Sequence, residues 1–228
     1  ILGLGSSHKV QVEGQHGLPY STPLSHLRET VEIIRRIIQD GSVSYKGQCL
    51  NIERFDLTFT PHRPEIPIYL AAVFPKMLTT CGEVAQGTIL TQNTPEKARE
   101  AADIVAAGAM KTGRAIHEVE IASMQACQVT SNTAQARDEA RQSLAHTCGF
   151  YPRYNRFIAQ NGFKEETDAI RSAWLDGDQE RAARLVPDRM VDAFAIIGDT
   201  DECCRRIEEH RRAGVTFPIL TFRAGVNG

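Results

Sequence analysis

The feature that most constrains this chain is a run of residues, Ile66 to Ala72, that is apolar almost without interruption and is bracketed by Pro67 and Pro75. A strand with one wet face alternates apolar and polar residues. A continuous run reads instead as a strand covered on both faces, as in a parallel sheet. Helical periodicity follows at about 75 to 85, then a second apolar strand at 88 to 92. The pattern repeats with a helix opened by Thr94-Pro95-Glu96, a strand at 119 to 130 and a helix from Ser131 or Asn132 to about His146. Strand and helix in strict alternation require right-handed crossovers, and so a parallel sheet, open or closed into a barrel.

The flanks extend this order. Ile1 to Gly5 is strand-like, and the polar loop Ser6 to Ser21 is too long for a simple connector. Thr22-Pro23 then supplies a capping hydroxyl and a proline at the first helical position. Leu24, Leu27, Val31, Ile34 and Ile38 line one face until Gly41 stops the helix. Val43 to Ile52 reads as a hairpin turning on Lys46-Gly47, followed by an extended link from Phe55 to Pro67. Residues 150 to 197 break the alternation with short helical stretches and are expected to be an insertion in a single domain spanning 1–228. Thr200-Asp201-Glu202 caps a further helix, Gly214 ends it, and Val215 to Phe222 reads as a last buried strand. Five parallel-type strands result, three short of a closed (β/α)8 barrel. The apolar start, with no leading Met, looks like the middle of a domain, so an N-terminal part carrying the remaining strands is expected.

Charge narrows the partners. Lys and Arg number 26 against 28 Asp and Glu, interspersed along the chain, so neither a nucleic-acid surface nor a membrane surface is expected. No stretch approaches the apolar length of a membrane span. The six cysteines are scattered without a C-x-x-C pair, which reads as reduced thiols and a cytoplasmic location. No Cys/His cluster and no histidine pair at helical spacing suggests a metal.

Candidate site residues lie at strand ends. Gly3-Leu4-Gly5 is not a dinucleotide fingerprint, because His8 holds the position of the third glycine. It leaves a strand end where a ligand or another backbone can come close. Leu70 to Met77 runs from small residues straight into a proline-opened helix, which aims backbone N–H groups and a positive helix end at the same face, as a phosphate site requires. Gly87 is the natural stop of that helix. Of the seven histidines, His8, His16, His26 and His62 fall in or near loops, whereas His117, His146 and His210 read as solvated or at helix ends. No Ser/His/Asp or Cys/His arrangement can be assembled.

The order of these segments resembles the luciferase-like monooxygenase superfamily, in its methylenetetrahydromethanopterin reductase-like branch of deazaflavin- or flavin-dependent oxidoreductases. The match runs through "LGLGSS", "PLSHLRETVEIIRRII", the "YKG" hairpin, "IPIYLAAVFPKMLTTCGEVAQG" and the final "AGVTFPIL". The resemblance implies an α/β (β/α)8 TIM barrel, here incomplete, with a helical insertion before the last strand. It implies a deazaflavin (F420) or, alternatively, FMN at the C-terminal mouth. Ala71, Ala72, Val73, Phe74 and Met77 would surround its phosphate and ribityl chain, Gly87 would help to close the site, and Leu4, Gly5 and Ser6 would lie near the ring. The chain departs from many members in having Phe74-Pro75 for Gly-Pro and Ala85-Gln86-Gly87 for Ala-Asp-Gly. The implied activity is an oxidoreductase moving a hydride between the cofactor and a small organic substrate, with His8 or Glu13 as the polar group at the reacting centre and a homodimer as the assembly. The alternatives are an FMN monooxygenase using oxygen and a non-catalytic or partner-completed homologue.

Overall fold

The computed structural model describes residues 1–222. The chain divides into two compact units, Ile1–Ile89 with Asp103–Glu120, and Leu90–Ala102 with the residues from Ile121 onward.

The first unit holds β1 (Leu2–Leu4), α1 (Lys9–Gly14), α2 (Pro23–Asp40), β2 (Ser42–Lys46), β3 (Asn51–Asp56), β4 (Ile68–Ala71) and α3 (Pro75–Val84). β5 (Gly87–Thr91) begins in it, and α4 (Pro95–Lys111) returns to it at Asp103. β1 pairs with β4 in parallel, Leu2 opposite Ile68 and Leu4 opposite Leu70. β4 pairs in parallel with β5, Tyr69 opposite Gly87 and Ala71 opposite Ile89. Ile68, Tyr69, Leu70 and Thr88 are buried, as the uninterrupted apolar runs require.

α2 ends where expected, Gly41 taking the left-handed conformation with φ 72°. Thr22 does not cap it; its hydroxyl lies 3.3 Å from Cys49 Sγ. The hairpin register pairs Lys46 with Asn51, so the turn is Gly47 to Leu50 rather than two residues. Glu29 is the reason: its carboxylate accepts the N–H groups of Gln48 (2.7 Å), Cys49 (3.0 Å) and Leu50 (2.8 Å), wrapping the turn around an anion. Burial pulls that carboxyl up, and the Leu50, Gln48 and Cys49 donors more than reverse it, leaving its pKa below the ordinary value.

The second unit contains β6 (Glu120–Val129), α5 (Thr133–Phe150), α6 (Pro152–Ile158), α7 (Lys164–Leu175), α8 (Gln179–Arg184), α9 (Asp188–Phe194), β7 (Ala195–Gly198), α10 (Thr200–Arg212) and β8 (Phe217–Thr221). β6 pairs in parallel with both β7 and β8. The helices from α5 to α9 enclose a core of Leu144, Cys148, Ile158, Phe163, Ile170, Met190 and Val191. β7 is a strand that the sequence reading absorbed into its helical insertion. Among the described residues six strands pair in parallel, two fewer than the eight of a closed barrel. β8 is not buried as expected: Phe217 is 40% exposed. Asp199, not Thr200, caps α10 by accepting the Glu202 N–H at 2.9 Å. His210, expected to be solvated or at a helix end, lies in the last turn of α10 and is buried, and burial followed by repulsion from Arg206 pushes its imidazole down to about 4. All six cysteines are free thiols; Cys203 is buried while its neighbour Cys204 faces out.

Candidate functional site

The parallel register of β1 with β4 sets the site, because it brings their C-terminal ends side by side. Gly5 follows β1 directly, and a Cβ added to it would stand 3.3 Å from the Ala71 Cβ at the end of β4. A Cβ on Gly3 would stand 3.4 Å from Ile89 Cδ1. The face shared by these strands is therefore graded. Tyr69 fills one end, its ring so close to Gly87 that a Cβ there would lie at 2.8 Å. At the other end Gly3, Gly5 and Ala71 leave an exposed floor of backbone and methyl groups.

Beyond Ala71 the chain turns into α3. The Ala72 N–H donates to the Ile89 carbonyl at 3.0 Å, Val73 and Phe74 are half-buried, and Phe74 occupies the N-cap position without a side-chain cap. Pro75 opens the helix, Lys76 beside it is exposed, and the Met77 N–H turns back to the Phe74 carbonyl at 3.0 Å. A ten-residue helix that starts uncapped next to an exposed lysine presents positive potential at its mouth. The structure thus brings Leu4, Gly5 and Ser6 together with Ala71, and runs Ala72, Val73, Phe74 and Met77 away from that end.

Gly87 does not belong there. It starts β5 at the opposite end of the sheet, and α3 stops at Val84 with Ala85 in extended conformation, so Gly87 is not the helix stop. The need for glycine comes from the Tyr69 ring, a packing constraint that a sequence shows in the same letter as a C-cap.

The loop after β1 contains a short helix, α1, that the sequence reading missed; none of its residues is buried. His8 precedes it, half-buried, with its carbonyl accepting from Gln11 and Val12 N–H. Glu13 is exposed, 3.7 Å from Lys9 Nζ, and its Oε1 accepts the Tyr20 N–H at 3.4 Å. Two features here were not foreseen. Ser7 has φ 54°, a left-handed conformation rare for an L side chain. Tyr20 reaches back 14 positions, its hydroxyl 3.1 Å from Ser6 Oγ and donating to the Ser7 carbonyl at 3.3 Å.

A separate cavity of about 350 Å³ opens near the start of β4, lined by Ile34, Ile38, Ile66, Glu65, Arg35 and Gln86. Its guanidinium is already engaged, Arg35 donating to the Val84 carbonyl at 2.6 Å and to Gln86 Oε1 at 3.0 Å. Among the described residues no group of three His, Cys, Asp or Glu side chains is placed to hold a metal ion, and no helix is long and apolar enough to cross a membrane.

Parallel strands with small residues at their C-terminal ends and an uncapped helix beside them make this an α/β protein, and the luciferase-like monooxygenase family matches residues 1–216. The chain belongs to that family. Its relatives include the 5,10-methylenetetrahydromethanopterin reductase of Archaeoglobus fulgidus, 31% identical over 221 residues, which are 95% of this chain and 65% of that one. The protein of the same name from Methanolobus tindarius is 30% identical over 100% of this chain and 69% of its own length. The solved coenzyme F420-dependent tetrahydromethanopterin reductase from Methanopyrus kandleri superposes with a TM-score of 0.86 at 26% identity, covering 97% of this chain and 67% of that one. The chain therefore spans about two thirds of the length of these relatives.

Proposed function

We propose that this protein is a deazaflavin (F420)-dependent oxidoreductase that transfers a hydride between the coenzyme and a small organic substrate, and that the substrate is a one-carbon unit carried on a tetrahydropterin. The observation that carries the reading is the floor formed by Gly5 and Ala71, where a Cβ on Gly5 would come within 3.3 Å of its neighbour. A flat ring system rests on such a floor at van der Waals distance, whereas a larger residue at either position would hold it off. The names of the relatives, methylenetetrahydromethanopterin reductases, supply the substrate class.

The residues present fit the group. When bound, the deazaflavin supplies or accepts the hydride. The protein's part is orientation and exclusion of water. Leu4, Gly5 and Ser6 would hold the ring, Ala71, Ala72 and Val73 the chain that links ring to phosphate, and the α3 start at Phe74 to Met77, which includes Lys76, the phosphate. Phe74 replaces a glycine of many family members, so the phosphate is held by the helix end more than by loop backbone. His8, two residues after Ser6, is the proposed polar group at the reacting centre, and Glu13 steadies the loop that carries it through Lys9 and the Tyr20 N–H. The protein is proposed to act as a homodimer in the cytoplasm.

A second reading, an FMN-dependent monooxygenase using oxygen, draws on the family's description. Parallel titration of the full-length gene product with F420 and with FMN, followed by coenzyme fluorescence, separates them. Binding of F420 alone, with coenzyme oxidation on adding methylenetetrahydromethanopterin, is the expected result. Binding of FMN alone moves the protein to the monooxygenases, and binding of neither makes it a non-catalytic or partner-completed homologue.

A further inference from the structure

We propose that the cavity near the start of β4 is a second binding site and that its ligand is a small aliphatic carboxylate. Arg35 and Gln86 would hold the anion, and Ile34, Ile38 and Ile66 the alkyl body. At about 350 Å³ the cavity falls within the range of small-molecule sites. The three isoleucines, with Pro64 and Pro67, supply its apolar wall. Such a wall alone would accept any apolar body of that size; the charge beside it narrows the ligand.

Arg35 carries that charge without a counterion. Among the described residues this half-buried guanidinium makes no ion pair, and its partners are neutral oxygens, the Val84 carbonyl at 2.6 Å and Gln86 Oε1 at 3.0 Å. Both bonds leave from Nη2, so the N–H groups of Nη1 and Nε are unspent. Gln86 Oε1 also accepts the Ile68 N–H at 3.2 Å, which fixes the oxygen and leaves the Nε2 protons of that amide as further donors. Everything polar that these two side chains still offer is a donor, so the cavity selects an acceptor. A carboxylate matches the guanidinium fork in both charge and shape. Burial first, and the Arg114 guanidinium second, hold Arg35 below the ordinary arginine value, and Glu65 on the cavity wall opposes them only in part. A bound anion would offset both costs. It would also tie α2 to the turn between α3 and β5, so binding is expected to stabilise the fold.

The test is calorimetric titration of the full-length protein with isovalerate, beside two probes that each lack one half of the ligand. Isovaleramide keeps the alkyl body without the charge, and inorganic phosphate keeps the charge without the alkyl body. Isovalerate is expected to bind at about 1 mM, and each of the others at least about tenfold more weakly. Arg35→Gln should weaken isovalerate by a similar factor. Because Arg35 also ties the Val84 carbonyl, Ile38→Trp is the second variant: it fills the cavity, leaves the guanidinium in place and should abolish binding. Wild-type protein that binds no isovalerate at about 50 mM overturns the proposal. So does binding within about twofold of wild type by either variant, once its unfolding curve shows it folded. Isovaleramide binding as well as isovalerate would show an apolar cavity with no anion site, and phosphate binding as well would show a guanidinium with no cavity behind it; either result overturns the proposal too. None of these measurements involves F420, so the deazaflavin reading stands or falls separately.

Discussion

The two ends of β1, β4 and β5 in the first unit are built on opposite rules. At the strand starts the helices pack closely on backbone, and the opening there is the cavity of about 350 Å³ near the start of β4. A Cβ on Gly82 would meet the Val105 carbonyl oxygen at 2.1 Å, one on Gly108 would meet the Thr79 carbonyl oxygen at 2.4 Å, and Tyr69 presses on Gly87. Arg114 Nη1 ties the Gly82 and Ala85 carbonyls at 2.8 Å each, and Arg35 takes that of Val84, so the end of α3 is capped by side chains. At the strand ends small residues are exposed, Ser7 takes a positive φ, and the loop after β1 is tied back by the contact of Tyr20 with Ser6. The first end is fixed by close packing, and the second is the one proposed to receive the coenzyme. Substitutions at the first should change folding and spare the chemistry, and those at the second should do the reverse.

The largest expected effect is at Gly82. Alanine would gain up to about 1 kcal/mol in helix propensity. The Cβ, however, has nowhere to go against backbone, and separating α3 from α4 costs more than that. Gly82→Ala is expected to destabilise the protein by about 3 kcal/mol, seen as a lower denaturant midpoint at unchanged slope. Arg114→Met comes next. It leaves two helix-terminal carbonyls without their charged donor, at a cost of about 2 kcal/mol, and the same unfolding curve reads it.

A smaller effect, dependent on pH, is expected at Glu29. Its folded pKa is lowered, so its contribution is present in full above the unfolded value of 4.5 and is lost as pH falls through the folded value. Glu29→Gln should therefore be less stable than wild type at neutral pH, and the two should converge on acidification. Unfolding midpoints measured from pH 7 down to about pH 3 check this; a constant gap across the range would show that the hairpin does not depend on the ionised carboxylate.

The strand and helix order was legible because each element is specified locally: the unbroken apolar run at 68 to 71, Pro75 and Pro95 at helix starts, Gly41 and Gly214 at helix ends. The small residues at the ends of β1 and β4 were legible too, and the structure sets Gly5 beside Ala71. What was lost depends on contacts between distant positions. Tyr20 meets Ser6 across 14 residues, and Glu29 meets the hairpin across about 20. Both look like solvated polar residues until the partners are known. Gly87 was misplaced for a related reason: a glycine after a helix signals a cap, and only the register opposite Tyr69 shows that it serves a ring. β7 was hidden because four residues, Ala195 to Gly198, are too few to stand out after the helical end at Phe194.

The smallest change in stability, and the sharpest separation of the two ends, is expected at Ala71. Its side chain is exposed at the end of β4 and faces Gly5, so a leucine there extends into open space rather than into backbone. Ala71→Leu should leave the unfolding free energy within about 0.5 kcal/mol of wild type. The same side chain would occupy the floor on which the ring is proposed to lie, and F420 affinity should fall by more than about tenfold, the loss of at least 1.4 kcal/mol of contact. Measured beside Gly82→Ala, which should bind normally in whatever fraction stays folded, the pair gives opposite entries in stability and binding. If Ala71→Leu binds F420 as wild type does, the ring does not rest on the Gly5 and Ala71 floor, and the contrast between the two ends is one of packing alone.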